Sequence, residues 1–171
     1  MIRRSLGMLA VLGCASTAGA QTANPLATEA KQAYTNAKNN LVRMAEKMPD
    51  EHYAFKPVPE IRTFGELVAH VADSQARTCS AVAGEAKAVD AASKTTKADL
   101  VAALKASYAI CDPVFDALTD ATAGELVKLP RGQRTRLGAL AGMTTHSALE
   151  YGYMAVYLRL KGVVPPTSEG R

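Results

Sequence analysis

The sequence predicts an all-α domain organised as a four-helix bundle. Four segments carry apolar residues at three- and four-residue intervals, and two of them open on N-terminal capping patterns. Composition agrees: Ala is abundant, Trp is absent, and Val and Ile are thinly spread. Ala costs no side-chain entropy in a helix. A chain of 171 residues suffices for one domain with a sizeable core, but not comfortably for two.

The first helix is expected from about Leu26 to Met48, where Ala30, Ala33, Ala37, Leu41 and Met44 share one face. Pro49-Asp50 ends it, and Pro57 and Pro59 make the stretch to Arg62 an irregular loop. The second opens on Thr63 with Glu66 three residues later, a capping box, and carries Leu67, Val68, Val71 and Val82 up to Gly84. The third starts near Thr96, capped with Asp99, and runs through Leu100, Leu104, Tyr108, Cys111, Phe115 and Leu118, with Pro113 expected to bend it. Residues 119–136 read as a polar connection with Gly124, Pro130 and Gly132. The fourth helix covers about Leu137 to Lys161, stopped by Gly162 and Pro165-Pro166. Two stripes run along it, one through Leu137, Thr144, Tyr151 and Leu158, the other through Ala139, Met143, His146, Glu150, Tyr153 and Tyr157. That pattern predicts contact on two sides. No repeat, glycine-rich phosphate loop or convincing strand is visible.

Residues 1–20 read as a secretory signal peptide: a basic start at Arg3-Arg4, an apolar run from Leu6 to Leu12, and Ala18-Gly19-Ala20 before Gln21. The bundle domain is then 21–171, with a periplasmic or secreted destination. Val11-Leu12-Gly13-Cys14 loosely resembles a lipoprotein cleavage site, which would leave a lipid-modified Cys14; Ala-Gly-Ala is the better fit. No second long apolar segment follows, so no transmembrane segment is expected in the mature chain. Arg3 and Arg4 supply two of the four units of net positive charge, and no basic stripe exists elsewhere, which argues against nucleic acid as a partner.

His146 and Glu150 lie four residues apart, so they stack one turn apart on one helical face. Imidazole and carboxylate at that spacing can reach one divalent ion, and His70 on a facing helix would complete a three-ligand set with open positions. Taken by spacing alone, a histidine is more often a satisfied core or surface residue than a ligand. Glu66, Asp73 and Arg77, near His70 at helical spacing, read equally as a solvated face.

The segment Arg62–Asp73, RTFGELVAHVAD, resembles the second-helix motif of the DinB-like family. The C-terminal segment His146–Ser168, HSALEYGYMAVYLRLKGVVPPTS, resembles the same family, most specifically from Tyr157 onward, and the similarity extends loosely over 27–168. The resemblance implies an up-down-down-up bundle holding a divalent metal (zinc, nickel or iron) with three histidines, one from the second helix and two, four apart, from the fourth. Those positions are His70, His146 and Glu150 here; the third departs from the family pattern. Glutamate is a competent ligand, but it adds negative charge and alters the geometry. The alternative is a hydrogen-bonded His146–Glu150 pair in a site that has lost its ion. Tyr153, one turn beyond Glu150, is a candidate pocket residue or else a core aromatic with its hydroxyl at the rim. Arg159 and Ser168 are expected to be structural.

Cleavage after Ala20 would leave Cys79 and Cys111, a disulfide candidate in an oxidising compartment. Cys79 lies 16 residues after Thr63, and Cys111 lies 15 after Thr96. Parallel second and third helices bring them to matched heights, in agreement with the implied crossover topology. An antiparallel hairpin would offset them by about 15 Å, beyond a disulfide's reach. Two separate buried thiols are the alternative.

Two functions follow. One is a metal-dependent thiol transferase or hydrolase acting on a small substrate. The other is a non-catalytic exported bundle that binds a small-molecule ligand or pairs with another chain, a homodimer included.

Overall fold

Each helix begins where a side chain replaces the acceptors its first N–H groups lack. In the computed structural model, which describes residues 23–130 and 132–170, α1 spans Pro25–Lys47, α2 Phe64–Ala83, α3 Lys97–Asp116 and α4 Arg136–Leu160. Thr63 and Glu66 form the expected capping box on α2, and Thr96 caps α3. Thr135 caps α4 by accepting from the Gly138 N–H. The α1 N-terminus is capped from a distance. Asp120 accepts from Leu26 N at 3.2 Å and Ala27 N at 2.8 Å, and its own N–H donates to Asn24 Oδ1 at 3.0 Å. No acidic residue lies in the first turn of α1, so this carboxylate also supplies the negative charge the helix dipole favours there. The segment 1–20 read as a signal peptide, Cys14 included, lies outside the described residues.

Pairs of contacts fix the topology. Arg62 meets Tyr157, His70 meets His146, and Val82 meets Arg136, so α2 and α4 run antiparallel. Lys31 pairs with Asp116, Lys38 with Asp112 and Glu46 with Lys105, so α1 opposes α3. The starts of α2 and α3 touch at Gly65 and Leu100, where a Cβ on Gly65 would lie 3.2 Å from Leu100 Cδ1. Their far ends are tied by a bond between the sulfurs of Cys79 and Cys111, with Cα atoms 5.1 Å apart. Helices that touch at both starts and both ends are parallel, and the bundle is up-down-down-up.

That arrangement sends the chain from the end of α2 back along its length, about 30 Å for 20 residues. Asp73, midway along α2, holds the returning strap: its carboxylate accepts from Ala91 N at 2.8 Å and Ala92 N at 3.0 Å, at a single 3₁₀ turn over Ala91–Ser93. Ser80 Oγ donates to Lys87 O, and Ala91 is fully buried.

Three expectations need correction. The polar connection before α4 contains a hairpin, β1 Leu126–Leu129 paired antiparallel with β2 Gly132–Thr135. Its four-residue strands are short for a period-two pattern, and only Val127 is buried. On α4, the second expected stripe is mostly buried, at Ala139, Met143, Glu150 and Tyr157, but the burial does not follow it throughout. The seam packed against α1 and α2 takes Met143 and Glu150 from that stripe and Leu158 from the other, and adds Leu140, Ser147 and Met154, which lie on neither. Tyr153 is 52% exposed, so it is not a core aromatic.

The core is continuous across all four helices. Tyr34 stacks on Phe115 with centroids 3.9 Å apart, and its hydroxyl donates to Asp112, which also binds Lys38. Burial and the Asp112 carboxylate hold the Tyr34 phenol protonated far above its usual range. Arg159 donates to Ser168 Oγ at 2.8 Å, folding the tail onto α4. Among the described residues, no helix is long and apolar enough to cross a membrane.

Candidate metal centre

Two antiparallel helices bring together residues 76 positions apart. His70 on α2 and His146 on α4 face each other with Nε2 atoms 3.1 Å apart. Glu150, one turn beyond His146, adds Oε1 at 3.4 Å from His146 Nε2 and 3.7 Å from His70 Nε2. The two imidazoles are about one-third exposed, whereas the Glu150 side chain is 6% exposed. Among the described residues, this is the one group of three ligating side chains within reach of a single ion.

The donor set fits a divalent transition metal. One point lies about 2.0 Å from all three atoms of this triangle, matching bond lengths of about 2.0–2.2 Å from zinc to imidazole nitrogen and carboxylate oxygen. Two imidazoles and one carboxylate suit zinc, nickel or iron and leave coordination positions open. Glu150 supplies a second reason. Its Oε2 is buried without a hydrogen-bond partner among the described residues. A desolvated carboxylate with one oxygen unsatisfied is costly, and a cation beside it offsets that cost.

The surroundings favour neutral imidazole on α2. Burial lowers the His70 pKa, and the Arg62 guanidinium, the His146 ring and Arg77 push it further down, against the pull of Glu150. A metal binds the neutral ring, so depressing the proton's affinity widens the pH range over which the nitrogen is available.

Two grooves flank the centre. Tyr153 lies in the larger, about 840 Å³, with Ile61, Leu67, Glu150, Val156 and Tyr157, so one wall is mostly apolar. The smaller, about 420 Å³, is polar and is lined by His70 with Arg62, Glu66, Asp73, Arg77 and Lys94. Arg62 belongs to both. Its carbonyl accepts from the Tyr157 hydroxyl at 2.7 Å, which ties the loop before α2 to α4 beside Glu150. Burial raises the Tyr157 pKa, and the charges of Glu150 and Glu66 add to that, so the hydroxyl stays a donor.

Arg62, Tyr157 and the strap-holding role of Asp73 were not singled out from the sequence. Arg62 sits in a loop without periodicity, Tyr157 reads as one more apolar position, and Asp73 bonds backbone groups about 18 residues away.

A family model described as the DinB superfamily matches residues 33–154. The chain belongs to the DinB superfamily. Solved structures agree on the fold. A DinB-like protein from Bacillus cereus superposes with a TM-score of 0.71 at 16% identity, covering 81% of this chain and 95% of that one. A DinB-like protein from Bacillus subtilis gives 0.63 at 20% identity, with 78% and 92% covered. A mycothiol-dependent maleylpyruvate isomerase gives 0.60 at 16% identity, with 75% of this chain and 60% of that one. No curated protein sequence matches the chain. Within this DinB-superfamily chain, His70, His146 and Glu150 form a possible metal-binding group whose metal is not identified by the donor set.

Proposed function

We propose that this DinB-superfamily protein binds a divalent metal through His70, His146 and Glu150 and uses it on a small substrate, as a metal-dependent thiol transferase, isomerase or hydrolase. The observation that carries the reading is the donor triangle of 3.1, 3.4 and 3.7 Å closed by a buried, half-unsatisfied carboxylate. Zinc, nickel or iron bound there would supply a Lewis acid that lowers the pKa of a coordinated water or thiol. The similarity of fold to a mycothiol-dependent isomerase supports thiol chemistry as the first class to screen.

The chain's own residues have separable tasks in this reading. His70 and His146 offer Nε2 atoms from α2 and α4, which also meet where Cys79 Sγ contacts Met143 Sδ at 3.6 Å, while the Cys79–Cys111 bond ties α2 to α3. Glu150 adds the charge that a third histidine would not. Leu67 and Tyr157 line the larger groove together with Glu150. The disulfide also supports an oxidising compartment, in keeping with export directed by residues 1–20.

The test is elemental analysis of wild type beside His146→Ala and Glu150→Ala, after reconstitution with zinc, nickel and iron. Near-stoichiometric metal in wild type, lost in both variants, is the expected result. Metal absent from all three means the site has decayed.

A second reading, an assembly role, has its own observation. Leu149, Tyr153, Val156 and Leu160 are each more than half exposed and recur at four-, three- and four-residue intervals on the outer face of α4. Sedimentation velocity across a range of concentrations tests it; a monomer at every concentration removes pairing of copies from consideration.

A further inference from the structure

We propose that the polar groove beside His70 binds an oxyanion, a carboxylate or a phosphate, carried by the same small molecule that reacts at the metal centre. The inference rests on the metal-centre reading for where the reacting end sits, but the groove and its charges stand independently of it.

Three cations from three separate segments converge on this groove: Arg62 from the loop before α2, Arg77 from α2 itself, and Lys94 from the end of the returning strap. All three are exposed, and none is in an ion pair among the described residues. Arg77 makes only a long hydrogen bond, 3.3 Å, to Ser74 Oγ.

The two carboxylates in the lining are already engaged. Asp73 accepts from the N–H groups of Ala91 and Ala92, and Glu66 accepts from Thr63 N at 2.6 Å. Those backbone donors fix the two carboxylates in place and occupy their acceptor oxygens without removing their charge, so the lining carries three cations against two anions. The metal site reinforces the sign. A divalent ion held by two neutral imidazoles and one carboxylate would add a net charge of about +1 beside His70, which lines the groove. Guanidinium and ammonium groups around a concave surface of about 420 Å³ suit the charged end of a small molecule, and the field they create concentrates anions there.

The experiment titrates the protein with succinate, with inorganic phosphate and with neutral succinamide by calorimetry. It compares wild type with the Arg77→Ala, Lys94→Ala double variant, each with and without bound metal. Metal content is measured in the same samples. Expected is saturable binding of succinate or phosphate, no binding of succinamide, at least roughly tenfold weakening in the double variant, and weakening as salt rises. Whichever anion binds more tightly identifies the oxyanion. Anions that bind no better than succinamide overturn the proposal. So does anion binding of equal strength in the double variant, which would assign it to direct metal ligation. The two readings separate cleanly: metal uptake without Arg77- and Lys94-dependent anion binding sinks this inference alone, and anion binding in a protein that takes up no metal sinks the metal reading alone.

Discussion

Glu150 sets one carboxylate oxygen 3.4 Å from Nε2 of His146 and turns the other into the core, where it meets no hydrogen-bond donor among the described residues. The pair is therefore poised for a cation and poorly arranged without one. Glu150→Gln removes the charge at nearly constant volume. At pH 8 the metal-free variant is expected to be more stable than wild type by on the order of 1 kcal/mol, raising Tm by about 2–4 °C. Metal affinity should fall at least about tenfold in the same protein. Thermal unfolding with and without added metal reads both signs, and a metal-free variant that melts below wild type contradicts the account.

Acid should weaken the metal-free protein through His70. Its folded pKa lies below the ordinary value of 6.5, chiefly because of burial, with Arg62 next. The stability it contributes is therefore complete above about pH 6.5 and is lost as pH falls through the depressed folded value. Urea unfolding between pH 8 and pH 5 should show this loss, and His70→Gln should flatten that part of the profile.

The Cys79–Cys111 bond closes a loop with a sequence separation of 32. Chain-entropy reasoning puts its contribution at about 3–4 kcal/mol, so Cys111→Ser should lower Tm by about 10 °C. Because both sulfurs are fully buried, a reductant should act on wild type only as fast as the protein opens. Rapid reduction by dithiothreitol under native conditions would argue against this packing.

Asp73→Ala leaves the Ala91 and Ala92 N–H groups without their acceptor. A loss of about 1–3 kcal/mol is expected in chemical denaturation, together with faster hydrogen exchange confined to the 85–96 strap. A change of under half that size would mean water replaces the carboxylate without difficulty.

The local parts of this architecture were legible in the sequence. The Thr63–Glu66 box, the Thr96 cap and the stops at Pro49, Gly84 and Gly162 each act within about a turn of the chain, and the observed helices end within two residues of the expected positions. The spacing of His146 and Glu150 was legible for the same reason. The α4 seam was legible only in part. A helix apolar on much of its circumference offers several stripes of equal period, and only the directions of α1 and α2 choose among them; the chosen one includes Met154, which lay on neither expected stripe. The hairpin escaped because its strands are only four residues long and bury a single side chain, Val127.

By itself, then, the sequence determined the helices, their caps and the one-turn pairing of His146 with Glu150, since backbone period and hydrogen bonds fix those within a few residues. The sequence offered His70 as a partner of that pair and Cys79 as a partner of Cys111 beside other readings, and the tertiary structure chose between them; it alone decided that Asp120 caps α1 and that Arg62, Arg77 and Lys94 share a groove. These contacts join segments from about 15 to more than 90 residues apart, and their register follows from how four helices bury one core, a property of the packed chain that no local pattern encodes.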